Sequence, residues 1–164
     1  MKAAGALVVA VLLAGCSASR IENGIFYSPE GYQLSLPAHG WAVLPGGSAE
    51  LELQRKNPKG GMLADATCDG KTASRPLAVL TRHLTFGLEH RETVESVQDQ
   101  VGGRLVARTV VRGTLDGTDV AVEAVVLKGE RCVYDFVYVA PAGAFEEGRG
   151  DFQAFVESFT GATR

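Results

Sequence analysis

Apolar and polar residues alternate with period two over much of this chain, the mark of half-buried β-strands. Tyr32, Leu34 and Leu36 alternate with Gln33 and Ser35, and Pro37 then ends that strand. Leu51 and Leu53 alternate with Glu50, Glu52 and Gln54. After the loop Asn57-Pro58-Lys59-Gly60-Gly61, a second alternating run extends from Met62 to Cys68. Asp116-Gly117 is a hairpin signal between strands at 105–115 and 120–128, and Gly129-Glu130 turns the chain into a strand at 131–140. That strand has Cys132, Tyr134, Phe136 and Tyr138 on one side. Its other side has Val133, Val137 and Val139, interrupted by Asp135. A strand apolar on both faces needs cover on both.

Two stretches take helical spacing and can supply that cover. Pro76 suits a first helical position, with Ser74 or Arg75 just before it, and Leu77, Leu80, Leu84 and Leu88 then form one apolar stripe. The last helix brings Phe152, Phe155, Val156 and Phe159, with Phe145 as a further member, and stops at Gly161. Gly148 and Gly150 are expected to delay its regular part until Asp151. Segment 91–103 has Val94, Val97 and Val101 at helical spacing, but Gly102-Gly103 reads as a hairpin turn, which favours an extended segment.

The order is a strand with Tyr32-x-Leu34-x-Leu36-Pro37 then Trp41, a strand pair, a helix, an antiparallel meander and an aromatic C-terminal helix. It resembles the PsbP-like α/β/α sandwich, whose members include photosystem II extrinsic proteins and a Ran-binding nuclear transport factor. The resemblance spans about residues 25–160. It implies an α+β fold in which an antiparallel β-sheet is covered by helices on both faces. Members are chiefly binding or assembly proteins, and no site motif of theirs occurs in this chain.

Residues 1–15 are of a different kind. A single cation, Lys2, precedes an apolar run from Ala3 to Leu13, and small residues follow. This is a secretory signal; the run falls short of the roughly 20 residues a bilayer span needs. Its ending, Leu13-Ala14-Gly15-Cys16, resembles the lipobox of bacterial lipoproteins. That resemblance implies cleavage before Cys16, diacylglycerol on its thiol and an acyl chain such as palmitate on the new amino group. Ser17, in place of Asp, resembles outer-membrane sorting. The expected organisation is a signal peptide at 1–15, a lipidated tether at 16–24 and one globular domain at 25–164.

Cleavage leaves 164 − 15 = 149 residues, enough for one domain with a sizeable core. Without Lys2 the balance is 15 basic against 19 acidic residues, a net of −4, with no basic cluster to hold nucleic acid. With Cys16 acylated, Cys68 and Cys132 remain as an even pair in an oxidising compartment, so a disulfide is expected over two buried thiols. No Cys-x-x-Cys redox pair is present.

The motifs of catalysis do not assemble. Asp69-Gly70-Lys71-Thr72 resembles the end of a phosphate loop, but position 65, where the motif needs Gly, is Asp. No Gly-x-Ser-x-Gly elbow occurs. His39 adjoins Gly40 in a turn. His83 and His90, with Val79 and Phe86, form a second stripe on the first helix, about 10 Å apart along the axis and too far for one zinc. Asp65 and Asp135 each interrupt an apolar strand face. Two carboxylates meeting in a sheet would form an acid–base pair, but spacing alone does not bring them together.

The chain therefore reads as an envelope lipoprotein facing the periplasm, needing no cofactor or metal and binding or assembling a protein partner without turnover. The alternatives are a small-molecule or lipid-binding accessory of an envelope transport system, and a hydrolase using Asp65 and Asp135. An exposed apolar patch favours the first reading, an enclosed apolar cavity the second, and converging carboxylates in an open cleft the third.

Overall fold

The computed structural model describes residues 18–101 and 104–161, so Cys16 with its signal and the Gly102-Gly103 turn lie outside the described residues. All strand pairs are antiparallel. Four short strands form a small sheet in the order β1-β2-β3-β11: β1 (Arg20–Glu22), β2 (Ile25–Tyr27), β3 (Tyr32–Ser35) and β11 (Thr160–Gly161). The large sheet has β4 (Ala42–Val43), β5 (Leu51–Lys56), β6 (Lys59–Thr67), β7 (Glu89–Val101), β8 (Arg104–Leu115), β9 (Thr118–Lys128) and β10 (Val133–Pro141). Their order across it is β4-β5-β6-β10-β9-β8-β7. Among the described residues two α-helices accompany the sheets, α1 (Leu77–Leu84) and α2 (Phe145–Glu157).

The period-two runs form strands where they are expected. In β3, Tyr32 and Leu34 are buried while Gln33 and Ser35 are exposed. Asp116 and Gly117 both take positive φ, 49° and 76°, as a two-residue hairpin turn requires. Segment 91–103 is extended as far as described, with Val101 paired to Arg104. The segment expected to be a polar tether up to residue 24 differs. Asn23 and Gly24 also take positive φ and fold β1 back onto β2, pairing Glu22 with Ile25.

Both helices depart from their expected limits. α1 ends at Leu84, so Leu88 leaves the apolar stripe and His90 falls in β7 with φ 49°. α2 begins at Phe145, in spite of Gly148 and Gly150, and Phe159 follows it. Gly148 serves packing. A Cβ there would stand 2.5 Å from the Tyr138 hydroxyl, which donates to the Phe145 carbonyl at 2.9 Å. Around Gly150 nothing lies within 4 Å. Thermal melts should separate the two glycines. Gly150→Ala is expected to gain about 0.5–1 kcal/mol from helix propensity, whereas Gly148→Ala should lose stability because Tyr138 must move.

The main core lies between the large sheet, the small sheet and α2. Phe136, Phe152, Phe155 and Phe159 pack there with Tyr32, Tyr134 and Tyr138. Trp41 sits at its margin, edge-on to Tyr138, and donates its indole N–H to Asp151 at 2.9 Å. A second, smaller cluster joins Leu80 to Ala73, Val126 and Val133. The expected sandwich is met in its coarser form, a mostly antiparallel β structure with two helices. Only eight residues of helix make up α1, and Val137 and Val139 stay half-buried.

Candidate functional site

A groove of about 680 Å³ opens between α1 and the β7–β8 ribbon. Its floor follows from register. Thr93 pairs with Val111, Ser96 with Thr109 and Gln98 with Ala107, and directly opposed residues share a face. Its wall is α1, through Leu77, Thr81 and Arg82, with Thr85 just past the end of the helix. The α1 hydroxyls are already engaged, Thr81 donating to the Leu77 carbonyl at 2.8 Å. Arg91 donates to the Thr85 carbonyl at 3.4 Å, tying β7 to the end of the helix. Arg82, in the last turn, forms no ion pair among the described residues. Phe86, in the turn after the helix, is 76% exposed. The groove can thus offer hydrogen bonds and two guanidinium groups, Arg82 and Arg91, but no nucleophile with a base beside it.

On the other flank of α1, Asp135 lines a cavity of about 260 Å³ with Thr67, Thr72, Arg75 and His83. Asp65 and Asp135 are direct cross-strand partners in the β6–β10 pair, so the structure brings together two residues that spacing could not. Their environments differ. Asp65 accepts the Glu50 backbone N–H at 3.1 Å, while Oδ1 of Asp135 is buried without a hydrogen-bond partner. Burial, and then the Asp65 charge, push the Asp135 carboxyl up to about 6. Burial also raises Glu50, whose carboxylate accepts the Ser28 hydroxyl at 2.7 Å.

A folded-state value above the ordinary carboxylate range means that ionised Asp135 opposes folding. Below about pH 3 both folded and unfolded chains are protonated there and no penalty exists. As pH rises through 6 the penalty reaches its full size, about 3 kcal/mol. Asp135→Asn should therefore raise the denaturation midpoint at pH 8 and leave it little changed at pH 4. Urea titrations at both values check this, and a loss of stability at pH 8 would mean that the carboxylate has a partner.

Two charged residues that the alternation did not flag lie within the core. Glu123 of β9 is 0% exposed, and its carboxylate accepts from Arg108 of β8 and, at 2.8 Å, from Arg149 of α2. Arg149 also reaches Glu95 of β7 at 2.7 Å. The signal was present in the sequence. Glu123 stands alone in Val120-Ala-Val-Glu-Ala-Val-Val126, and Arg108 lies between Val106-Ala107 and Thr109-Val110.

The sulfurs of Cys68 and Cys132 stand 2.08 Å apart, with Cα atoms at 4.0 Å, a disulfide distance. His39, His83 and His90 are exposed and lie on a turn, a helix and a strand. Among the described residues, no three His, Cys, Asp or Glu side chains group to hold a metal ion. No helix there is long and apolar enough to cross a membrane.

No family model matches this chain, and no curated relative matches it by sequence. Solved structures do resemble it. Cyanobacterial PsbP (CyanoP) of Synechocystis sp. PCC 6803 superposes with a TM-score of 0.58 at 11% identity, covering 94% of this chain and 99% of that one. LpqN of Mycobacterium tuberculosis, involved in cell envelope biogenesis, gives 0.57 at 16% identity, with 79% and 82% covered. A Bacteroides thetaiotaomicron protein gives 0.62 at 10% identity over 87% of this chain, which spans 49% of that longer one. At these identities the likeness establishes a PsbP-like fold and nothing of activity.

Proposed function

We propose that this chain is a lipid-anchored envelope protein, acylated at Cys16 and held on the periplasmic side of the outer membrane. In this reading its domain binds a protein partner through the α1–β7–β8 groove, without turnover. The observation that supports it most is the groove itself, open along one side and lined by Thr, Ser, Gln and Arg side chains interleaved with Leu77, Val97, Ala107 and Val111. A lipidic ligand would call for an enclosed apolar cavity, and an open groove of mixed polar and apolar lining suits an extended segment of a partner that carries both acidic and apolar side chains instead. Arg82 and Arg91 would pair its carboxylates, and exposed Phe86 would extend the contact. The PsbP-like fold, shared with an envelope-biogenesis protein, is compatible with this role.

Photocrosslinking in intact cells tests it. A probe at Ser96 or Gln98 should give one discrete protein adduct that disappears with Arg82→Glu, while a probe at His39 gives none. A small molecule retained by the purified protein, with no adduct, would favour the transport-accessory alternative. Asp135→Asn should leave the adduct intact, and loss of a measurable turnover in that variant would establish the hydrolase reading. Cys16→Ser should leave the chain unprocessed or free of membranes. An intact mature protein that begins elsewhere and bears no acyl chain would end the lipoprotein reading.

A further inference from the structure

β1 begins at Arg20, four residues after Cys16. An extended chain gains at most about 3.6 Å per residue, so Arg20 lies within about 14 Å of Cys16. β1 is not a loose leader, because the Asn23-Gly24 turn pairs it with β2. At this same end three aliphatic side chains are exposed: Ile21 at 43%, Val43 at 43% and Leu44 at 40%. They border one shallow hollow of about 290 Å³, together with Phe26 and Pro45. Val43 belongs to β4, an outer strand of the large sheet. Apolar surface, sheet edge and the root of the tether thus coincide.

We propose that this β1–β4 edge, through Ile21, Val43 and Leu44, rests on the lipid surface and fixes the orientation of the domain. The inference depends on acylation of Cys16 and extends that reading to the folded domain. A bilayer is the occupant that suits the site. A stable protein interface takes about 800 Å² from each partner, more than three part-exposed side chains offer. A surface to which the chain is already tethered needs only weak contact, because the second binding event is intramolecular. Glu50 and Glu52 also line the hollow, and its one cation, Arg20, is already paired with Glu22, so the contact is with zwitterionic lipid and not with anionic headgroups.

The orientation has a consequence for the partner groove. In the strand order β8 stands five places from β4. At about 4.8 Å per step the groove is held about 24 Å from the lipid-facing edge. The same edge that meets the membrane therefore keeps the α1–β7–β8 groove open to the periplasm.

The test uses the full acylated chain in phosphatidylcholine vesicles, with a polarity-sensitive fluorophore on single introduced thiols. Labels at Ile21→Cys and Leu44→Cys should shift to the blue and be several-fold protected from aqueous iodide. Labels at Phe86→Cys and Gln98→Cys should remain as accessible as in detergent-free buffer. Combining Ile21→Asp with a label at Leu44→Cys should abolish the protection while the chain stays membrane-bound. The mass of the N-terminal peptide and co-sedimentation are read on the same samples. Equal accessibility of all four labels in an acylated, sedimenting protein overturns the proposal and leaves lipidation standing. A peptide without acyl chains overturns both.

Discussion

Exchange of Glu123 for Met should cost the fold about 3–5 kcal/mol, roughly a fifth or more of the stability of an ordinary domain. The carboxylate is 0% exposed, and it is shared by Arg108, itself only 7% exposed, and Arg149. Removing it strands one guanidinium deep in the sheet and leaves a second paired only toward the surface, with Glu95 and Glu146. The desolvation of Arg108 was offset by Glu123, and among the described residues it has no other ion pair. Replacing all three by Met removes the stranded charges together with their partner, so the triple variant should regain most of the loss. Urea midpoints of the single and triple variants decide this. A single exchange that costs under about 1 kcal/mol would show the network to be no more than a surface ion pair. Binding gives a second reading, because Arg149 links α2 to β9 and β7, and β7 is part of the partner groove. The single variant should weaken the Gln98 crosslink, and the triple should restore stability without restoring it.

How much of this was legible in the sequence depended on whether the deciding contacts were local. Strand β3 and the Asp116-Gly117 hairpin were readable because burial alternates every second residue and the turn needs only two neighbours with positive φ. The start of α1 was readable from Pro76, but not its end. Leu88 continues the leucine spacing, and Thr85-Phe86-Gly87 breaks the helix in favour of pairing β7 with β8. Gly148 looked like a weakness in α2 because its reason, the Tyr138 hydroxyl, is brought near only by the fold. Asn23-Gly24 was a legible hairpin signal that the polar surroundings of residues 17–24 masked. Strand composition marked Asp65 and Asp135 as interruptions, but their facing each other required the β6–β10 register. The groove was the least legible part, since its floor and wall come from elements whose adjacency no local pattern encodes.

That β6–β10 register underlies the second large effect. Cys68 and Cys132 flank it, one residue beyond the Thr67–Val133 pair. The two strands are neighbours in the sheet but 64 residues separate the cysteines, and α1, β7, β8 and β9 intervene. Bringing them together without the crosslink requires the chain to close that loop on its own, and the entropy of closure grows with length. In the chain-entropy account, removing a crosslink over such a loop costs roughly 4 kcal/mol. Cys68→Ala with Cys132→Ala should therefore lower the melting temperature by roughly 10–15 °C for a domain of this size. Dithiothreitol should do nearly the same to the parent chain and nothing to the double variant. Because Cys132 is buried beside Tyr134, a pair of serines would add the cost of burying hydroxyls, so alanine isolates the crosslink. Alkylation of the denatured, unreduced protein should label neither cysteine. Quantitative labelling of both, or a double variant that melts with the parent, would mean that sheet packing alone holds β6 against β10.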